Sequence, residues 1–246
     1  MAPKISDIAR QLVADAETRL AAAREDHPES WQLLLEEPRV ADSIARVWAC
    51  SEYVATCCVR SPALLSELIE NGYLFARAPD DWIARDIEGR VSGDSETELM
   101  ESLRRFRKRH MVRIAWRDIA RWATLDETLR DLSLLADVCV DFVCKRMHSS
   151  LVARYGTPRG AESGEPQSLM VLGMGKLGGC ELNYSSDIDL ILLYPEDGET
   201  DGTRSIDNAE FFLRLGQKIV QLLSATTVEG FVYRVDLRLR PFGDSG

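Results

Sequence analysis

The spacing of apolar residues changes at Tyr155, and this change constrains the fold more than any other feature of the sequence. Up to that point apolar side chains recur every three or four positions, which is the period of an amphipathic helix. The pattern begins with residues 5–23 and is strongest in two long stretches, 96–122 and 126–155. We therefore predict a helical region over residues 1–156.

Residues 157–246 have the pattern of a small α/β unit. The segment 156–167 contains three glycines, two prolines and almost no apolar residues, so we predict a linker or long loop there. Beyond it, short apolar runs, a glycine-rich segment and one amphipathic stretch predict strands at 169–172, 190–194 and 231–240 and a helix at 207–224. The apolar face of this helix is expected to contain Ala209, Phe212, Leu213, Ile219, Val220 and Leu223. The sequence therefore predicts an α+β fold that is predominantly helical.

The charge and the apolar content exclude several classes of protein. A formal net charge of −10 argues against broad binding to nucleic acid, because phosphate contacts need a basic surface. No apolar run approaches the roughly 20 residues that span a bilayer, and residues 1–24 lack the apolar stretch of a signal peptide. We expect a cytoplasmic protein that binds neither nucleic acid nor membrane. The last residues, 241–246, have the composition of a turn, and we expect the chain to be part of a longer protein.

The six cysteines and three histidines do not have the spacing of a zinc site. No CxxC pair is present, and the histidines lie far apart in the sequence. We therefore expect buried, reduced thiols and no functional role for the histidines.

Asp187 and Asp189 form the centre of a candidate metal site. Residues two positions apart in a strand point to the same face, so the two carboxylates project together and Ile188 points to the opposite side. Adjacent carboxylates repel each other unless a positive charge lies between them. Magnesium meets this need, because it binds carboxylate and phosphate oxygens. The alternative is an exposed acidic end of a strand.

A glycine-rich bend precedes these carboxylates. Eleven residues separate Gly175 from Asp187; a glycine lets the backbone approach a phosphate closely, and Lys176 adds a positive charge. The segment Gly173–Gly178 also matches the G-x-G-x-x-G of dinucleotide-binding folds, but the residues before the acidic strand leave no room for the required helix. A phosphate-binding P-loop is excluded because Leu177 follows the lysine.

A third carboxylate, Asp236, lies among basic residues. Strand parity places it on one face with Arg234, Arg238 and Arg240. Two-metal nucleotidyl transfer uses three such carboxylates to hold ions about 3.5–4 Å apart, and basic side chains hold the phosphate that does not react. We predict that Asp236 is catalytic and that Arg238 and Arg240 bind phosphate. The alternative is a salt-bridged surface strand.

Five arginines spaced by four residues form a basic ridge along the predicted helix 96–122. We expect this ridge to be a solvated face, with docking to an acidic surface as the alternative. Its members are Arg105, Arg109, Arg113, Arg117 and Arg121.

Four segments resemble the glutamine synthetase adenylyltransferase family. Residues 171–194, VLGMGKLGGCELNYSSDIDLILLY, are similar to its nucleotidyltransferase signature, and DNAEFFLRLGQKIVQLL and GFVYRVDLRLRPFGDSG follow in the same order. The basic segment RRFRKRHMVRIAWRD is similar too. The likeness covers roughly residues 103–246, and earlier residues match only in helical character. The resemblance implies that 157–246 is a polymerase-β-like nucleotidyltransferase core.

Members of this family carry two related catalytic halves. One removes AMP from a tyrosine of glutamine synthetase by phosphorolysis, and the other attaches it from ATP. The segment ELNYSSDIDL, and its place after a helical region starting at Met1, resemble the N-terminal, adenylyl-removing half. The resemblance therefore implies a [glutamine synthetase]-adenylyl-L-tyrosine phosphorylase with two magnesium ions held by Asp187, Asp189 and Asp236. The alternatives are the adenylylating direction and an inactive module that binds nucleotide or a partner.

The resemblance also implies ligands and partners. The usual Gly-Ser of wider nucleotidyltransferases is Gly175-Lys176 here, which leaves the role of the lysine less defined than the site itself. The implied partners are glutamine synthetase, a PII-type nitrogen signal protein, ATP or ADP, and phosphate. Residues implied to contact nucleotide or phosphate are Gly175, Lys176, Ser186, Arg238 and Arg240.

Overall fold

The computed structural model describes residues 5–238, which contain ten helices and five strands. The prediction of a predominantly helical α+β fold is confirmed. No helix within these residues is both long enough and apolar enough to cross a membrane. The first eight helices are α1 (Ile5–Asp26), α2 (Pro28–Glu36), α3 (Pro38–Cys50), α4 (Glu52–Arg60), α5 (Pro62–Glu70), α6 (Trp82–Arg90), α7 (Glu96–Ile119) and α8 (Leu125–Tyr155).

Prolines and a serine set the starts of the short helices. Pro28, Pro38 and Pro62 each open a helix, where the missing amide hydrogen costs nothing because the first amides have no partner within the helix. Helix α4 instead begins after Ser51, whose hydroxyl accepts a hydrogen bond from the amide of Val54 at 3.2 Å. These signals are local, so the boundaries of α2 to α5 follow directly from the sequence.

Two small sheets follow the helices. Strands β2 and β3 pair antiparallel, and β5 pairs parallel with β3, giving the order β2-β3-β5; β1 and β4 form a separate antiparallel pair. The predicted order of strand, glycine segment, strand, helix, strand is confirmed. The elements are β1 (Pro158–Gly160), β2 (Met170–Met174), α9 (Gly175–Gly178), β3 (Ile188–Leu193), β4 (Gly198–Thr200), α10 (Asn208–Ser224) and β5 (Val235–Asp236).

The segment 156–167 is not the linker or long loop that we predict from its composition. It contains strand β1, which pairs with β4 through a close backbone approach at Gly198, where a Cβ would lie 2.0 Å from the carbonyl oxygen of Arg159. Buried Asn208 joins the same region, since its amide donates to the carbonyls of Arg159 and Glu196 at 2.9 and 3.1 Å. The glycines of this segment suggest a flexible chain, but in the structure they allow close approach of neighbouring backbone segments.

The last strand is much shorter than the predicted run at 231–240. Only Val235–Asp236 is a strand, and residues from 239 onward lie outside the described part of the chain. The amides of Val232 and Tyr233 both donate to the carbonyl oxygen of Leu223, at 2.9 and 3.0 Å. These two residues are thus bonded to the end of α10 rather than to a neighbouring strand.

The chain divides into two compact units. One contains the residues up to Pro79 together with Lys108–Thr128, and the other contains Asp80–Arg107 together with the chain from Leu129 onward. Both long helices, α7 and α8, contribute residues to each unit. The predicted boundary between residues 156 and 157 falls between α8 and β1, where helix gives way to sheet; as a division into domains it stays a prediction.

The basic ridge is not a solvated face. Arg109, Arg113 and Arg117 are at most 4% exposed, and only the outer members of the ridge reach solvent. Arg113 donates to the carbonyl oxygens of Tyr73 and Ala76, at 2.9 and 3.2 Å, within the first unit. Guanidinium groups carry five donors, so they are suited to satisfying loop carbonyls that no helix or strand pairs. The ridge therefore stabilises the irregular segment between α5 and α6.

Candidate active site

Parallel pairing of β3 with β5 places two of the predicted carboxylates side by side. Asp189 and Asp236 are direct partners in this pairing, as are Ile188 and Val235 one position earlier. Ile188 is fully buried, so the adjacent acidic positions face away from the core. Asp187 lies immediately before β3 and is exposed. All three carboxylates are therefore attached to the same end of the three-stranded sheet.

Gly175 brings the end of β2 against this acidic end. Met174, the last residue of β2, is the antiparallel partner of Asp189, and Gly175 follows with φ of +54°. A Cβ at Gly175 would lie 2.7 Å from Oδ2 of Asp189, which is closer than real Cβ contacts. Glycine is thus required twice here, for its backbone angle and for the space that the carboxylate occupies.

The segment after Gly175 is one helical turn, α9, rather than a loop without structure. It spans four residues and is followed by the C-cap residue Gly179, whose amide donates to the carbonyl oxygen of Gly175 at 3.1 Å. Because β2 and β3 are antiparallel, the segment does not connect two parallel strands as a dinucleotide-binding unit would. This topology is consistent with the prediction from the sequence that the segment does not form a dinucleotide-binding fold.

Asp236 forms an ion pair with Arg238. The backbone amide of Arg238 donates to Oδ1 of Asp236 at 2.9 Å, and its guanidinium Nε donates to both carboxylate oxygens at 3.0 and 2.9 Å. These hydrogen bonds, the side-chain bonds first, lower the pKa of Asp236 to about 2. The carboxylate is therefore fully ionised at neutral pH, as a metal ligand must be.

Asp187 is paired with Arg234, a residue that the sequence analysis did not assign to the site. The guanidinium of Arg234 donates to Oδ1 of Asp187 and, at 2.9 Å, to the carbonyl oxygen of Ser185. The signal for this residue is its position two before Asp236, on the same face of the strand. The position of Arg234 in the sequence does not by itself identify Asp187 as its partner, because the contact depends on the pairing of β5 with β3.

The charges of all three carboxylates act on Arg238. Its hydrogen bonds to Asp236 raise the pKa of the guanidinium, and the charge of Asp236 adds to this. The charges of Asp189 and Asp187 act in the same direction, although neither residue is bonded to Arg238. A cation at this position therefore experiences all three negative charges.

The carboxylates fit the chemistry of a magnesium site, although the side chains of Asp187 and Asp236 are paired with Arg234 and Arg238. Within residues 5–238 no group of three or more His, Cys, Asp or Glu side chains is gathered closely enough to hold a metal ion. Magnesium is commonly held by one or two carboxylates together with phosphate oxygens and water, and Asp189 and Asp236 supply such a pair. The Arg238 side chain is 90% exposed, so it can rotate away from Asp236 readily.

The remaining predicted ligand residues are less closely tied to the carboxylates. Lys176 is exposed on α9, and its ammonium makes no hydrogen bond or ion pair within residues 5–238. The hydroxyl of Ser186 donates to Oδ1 of Asn183 at 2.6 Å and so stabilises the turn before β3. Arg240 lies outside the described residues. The assignment of these three residues to phosphate or nucleotide binding stays a prediction.

Comparison with known proteins identifies the family. Residues 41–246 match the family model described as glutamate-ammonia ligase adenylyltransferase. Proteins named bifunctional glutamine synthetase adenylyltransferase/adenylyl-removing enzyme are similar to this chain: 53% identity over 212 residues in Pseudomonas aeruginosa, covering 85% of this chain and 22% of that protein. The corresponding protein of Nitrosococcus oceani is 52% identical over 206 residues, covering 83% and 21%.

The likeness also extends into the N-terminal helices. The relative from Pseudomonas syringae pv. tomato is 45% identical over 244 residues, which is 97% of this chain and 24% of that protein. The chain thus spans less than a quarter of the length of these three relatives. The three candidate carboxylates and the glycine bend all lie inside the matched range. This chain belongs to the glutamate-ammonia ligase adenylyltransferase family.

Proposed function

We propose that this chain catalyses the removal of AMP from adenylylated glutamine synthetase by phosphorolysis. The observation that carries the proposal is the pairing of Asp189 with Asp236 on neighbouring parallel strands, next to Asp187 and the Gly175 bend. A set of carboxylates at a glycine bend suits transfer of a nucleotidyl group. The names of the relatives include both directions of the reaction, and the segment ELNYSSDIDL favours the removing direction.

In the proposed reaction, inorganic phosphate attacks the adenylyl phosphorus. A bond forms between a phosphate oxygen and this phosphorus, the bond to the tyrosine oxygen breaks, and that oxygen takes up a proton. The products are ADP and unmodified tyrosine. Each group transferred is accounted for, so no oxidant or further co-reactant is needed.

The roles of the residues follow from their charges and positions. Asp187, Asp189 and Asp236 would hold up to two magnesium ions. Bound magnesium would stabilise the negative charge on the attacking and leaving oxygens. Arg238 and Lys176 would orient the incoming phosphate, because a cation close to these carboxylates reduces repulsion of the anion. Gly175 would allow the phosphate to approach the backbone closely.

The proposed setting is the cytoplasm. Glutamine synthetase is the proposed protein substrate, and a PII-type nitrogen signal protein is a proposed regulatory partner. Phosphate and ADP are the small molecules of the removing direction, and ATP is that of the adenylylating direction.

Product analysis tests the proposal. Adenylylated glutamine synthetase is incubated with this chain, magnesium and phosphate, and unmodified glutamine synthetase is incubated with the chain, magnesium and ATP. The proposal predicts ADP in the first reaction and no pyrophosphate in the second. Pyrophosphate in the second reaction alone assigns the chain to the adenylylating direction and contradicts the proposal. Nucleotide binding without either product and without dependence on magnesium favours an inactive binding module.

A further inference from the structure

Arg104 is a buried arginine on α7 whose hydrogen-bond acceptors are all backbone carbonyl oxygens. Its side chain belongs to the second unit and is 1% exposed as a residue. Burial lowers the pKa of the guanidinium, since the charge has been taken out of water. A buried charge at this position needs a structural or functional reason. Its acceptors are Gly230 at 2.8 Å, Met100 at 2.8 Å, Leu222 at 3.3 Å and Ala225.

Two of these carbonyls belong to the end of α10. The last carbonyls of a helix have no partner inside the helix and carry the negative end of its dipole, so a cation there is favourable. Leu222 lies in the last turn and Ala225 is the C-cap residue. Lysine cannot replace the arginine equivalently, because its ammonium is a single point whereas the guanidinium is a rigid fork.

The same helix end fixes the chain that leads into β5. The carbonyl oxygen of Leu223 accepts from the amides of Val232 and Tyr233. The hydroxyl of Ser224, the last residue of α10, donates to the carbonyl oxygen of Tyr233 at 3.0 Å. The same hydroxyl accepts from the amide of Val235, the first residue of β5, at 3.2 Å. Ser224 therefore fixes where β5 begins relative to the end of α10.

The position of β5 in turn sets the position of the catalytic carboxylate. The amide of Ile188 donates to the carbonyl oxygen of Arg234 at 2.9 Å, and this bond aligns β5 with β3. A shift of β5 by one residue would remove Asp236 from its place opposite Asp189 and turn it to the other face. The short strand has few bonds of its own to resist such a shift.

We propose that Arg104 is a positioning residue that acts through Ser224. By holding the carbonyls at the end of α10, it fixes Ser224 and thereby the register of β5 that keeps Asp236 beside Asp189. Arg104 does not touch the reacting groups. Its contribution to turnover rests on the proposed function, whereas its contribution to the register of β5 does not.

Hydrogen exchange at single amides tests the effect on register. In Arg104→Lys and in Ser224→Ala, the amide of Ile188 is expected to exchange at least about tenfold faster than in the wild type, because the hydrogen bonds that hold its acceptor in place are lost. The amide of Asp201, which donates to the carbonyl of Thr157 at 3.0 Å just beyond the β1–β4 pair, is expected to be unchanged.

Matched variants separate positioning from general loosening. Arg113→Lys changes another buried arginine of α7 that bonds loop carbonyls, and Ser205→Ala removes a serine whose hydroxyl donates to the carbonyl of Thr200 at 2.6 Å. Neither is expected to accelerate exchange at Ile188. Equal acceleration in a control variant, or wild-type exchange in either Arg104→Lys or Ser224→Ala, overturns the inference. Wild-type exchange in Ser224→Ala overturns it even where Arg104→Lys does not fold.

A kinetic readout links the register to the reaction. Where the wild type forms ADP, Ser224→Ala is expected to lower kcat at least about tenfold and leave KM for adenylylated glutamine synthetase unchanged, because the defect affects the transition state rather than docking. An unchanged kcat with faster exchange at Ile188 overturns the catalytic part of the inference. Absence of ADP formation by the wild type contradicts the proposed function, and the exchange measurement still decides the inference about register.

Discussion

At the scale of single residues, strand periodicity predicts part of the site and long-range pairing completes it. The common direction of Asp187 and Asp189 follows from their spacing, and the buried Ile188 between them agrees with it. The register of Asp236 against Asp189 depends on a parallel pairing between segments that lie 47 residues apart, and no local pattern encodes it. The partner of Arg234 could not be predicted for the same reason.

The first prediction concerns the charge of Asp236. Asp236→Asn should lower phosphorolysis at least about 100-fold, because an amide binds magnesium poorly and no longer balances the nearby cations. The fold should persist, with a change in Tm below about 2 °C, since exposed ion pairs contribute little stability. Asp141→Asn, which alters an exposed carboxylate paired with Lys145, is the matched control and should retain full activity. Equal activity of the two variants would refute the role of Asp236.

A second prediction concerns the bend at Gly175. Gly175→Ala should be destabilised by about 1–2 kcal/mol from its positive φ and should also lose most activity, because the new Cβ displaces the carboxylate of Asp189. Gly164→Ala provides the control: φ is +68°, yet nothing lies within 4 Å of its Cβ position. Denaturant unfolding should give similar losses of stability for both variants, with activity lost only at Gly175. Normal turnover by Gly175→Ala would contradict the close contact.

At the scale of elements, the period of α10 is predictable and its buried face is only partly so. Phe212, Ile219 and Leu223 are buried as expected, but Ala209 is exposed, Leu213 is 62% exposed and Val220 is only partly buried. Apolar side chains occupy several neighbouring positions in this helix, so more than one face could be buried on periodicity alone. The strand β5 is shorter than predicted because its preceding residues bond to the end of α10, which the alternation of side chains does not reveal.

The third prediction compares two leucines in this helix. Leu215→Ala should lower the free energy of unfolding by about 2–5 kcal/mol, because it creates a cavity at a fully buried position. Leu213→Ala should change it by less than about 0.5 kcal/mol, because the side chain is already in solvent. Urea denaturation of both variants measures the difference. An equal loss of unfolding free energy in the two variants would mean that the buried face of α10 is incorrectly assigned.

At the scale of the whole molecule, the helical class is predictable but the composition of the two units is not. Each of the two long helices contributes residues to both units, so each unit contains segments that are far apart in the sequence. Helical periodicity does not indicate which unit a given turn of helix belongs to. The basic ridge illustrates this, since its spacing resembles a solvated face while Arg113 and Arg117 bond carbonyls of the segment between α5 and α6. Burial of such residues is decided by segments that lie elsewhere in the sequence.

The fourth prediction concerns the cysteines of the molecule. Cys50 and Cys180 are exposed and should react quickly with a thiol reagent at pH 8. Burial raises the pKa of Cys58, and it raises the pKa of Cys139 and Cys144 to about 12, so these thiols should react slowly in the native protein. All six should react once the chain is unfolded. Fast reaction of Cys139 under native conditions would contradict the described core.

The most direct measurement of the central claim is a titration with Mn²⁺, followed by the loss of the free-ion signal in electron paramagnetic resonance. We expect the wild type and Asp141→Asn to bind Mn²⁺ equally and Asp189→Asn to bind it at least about tenfold more weakly. Binding of Mn²⁺ by Asp189→Asn with wild-type affinity would show that Asp189 is not a metal ligand.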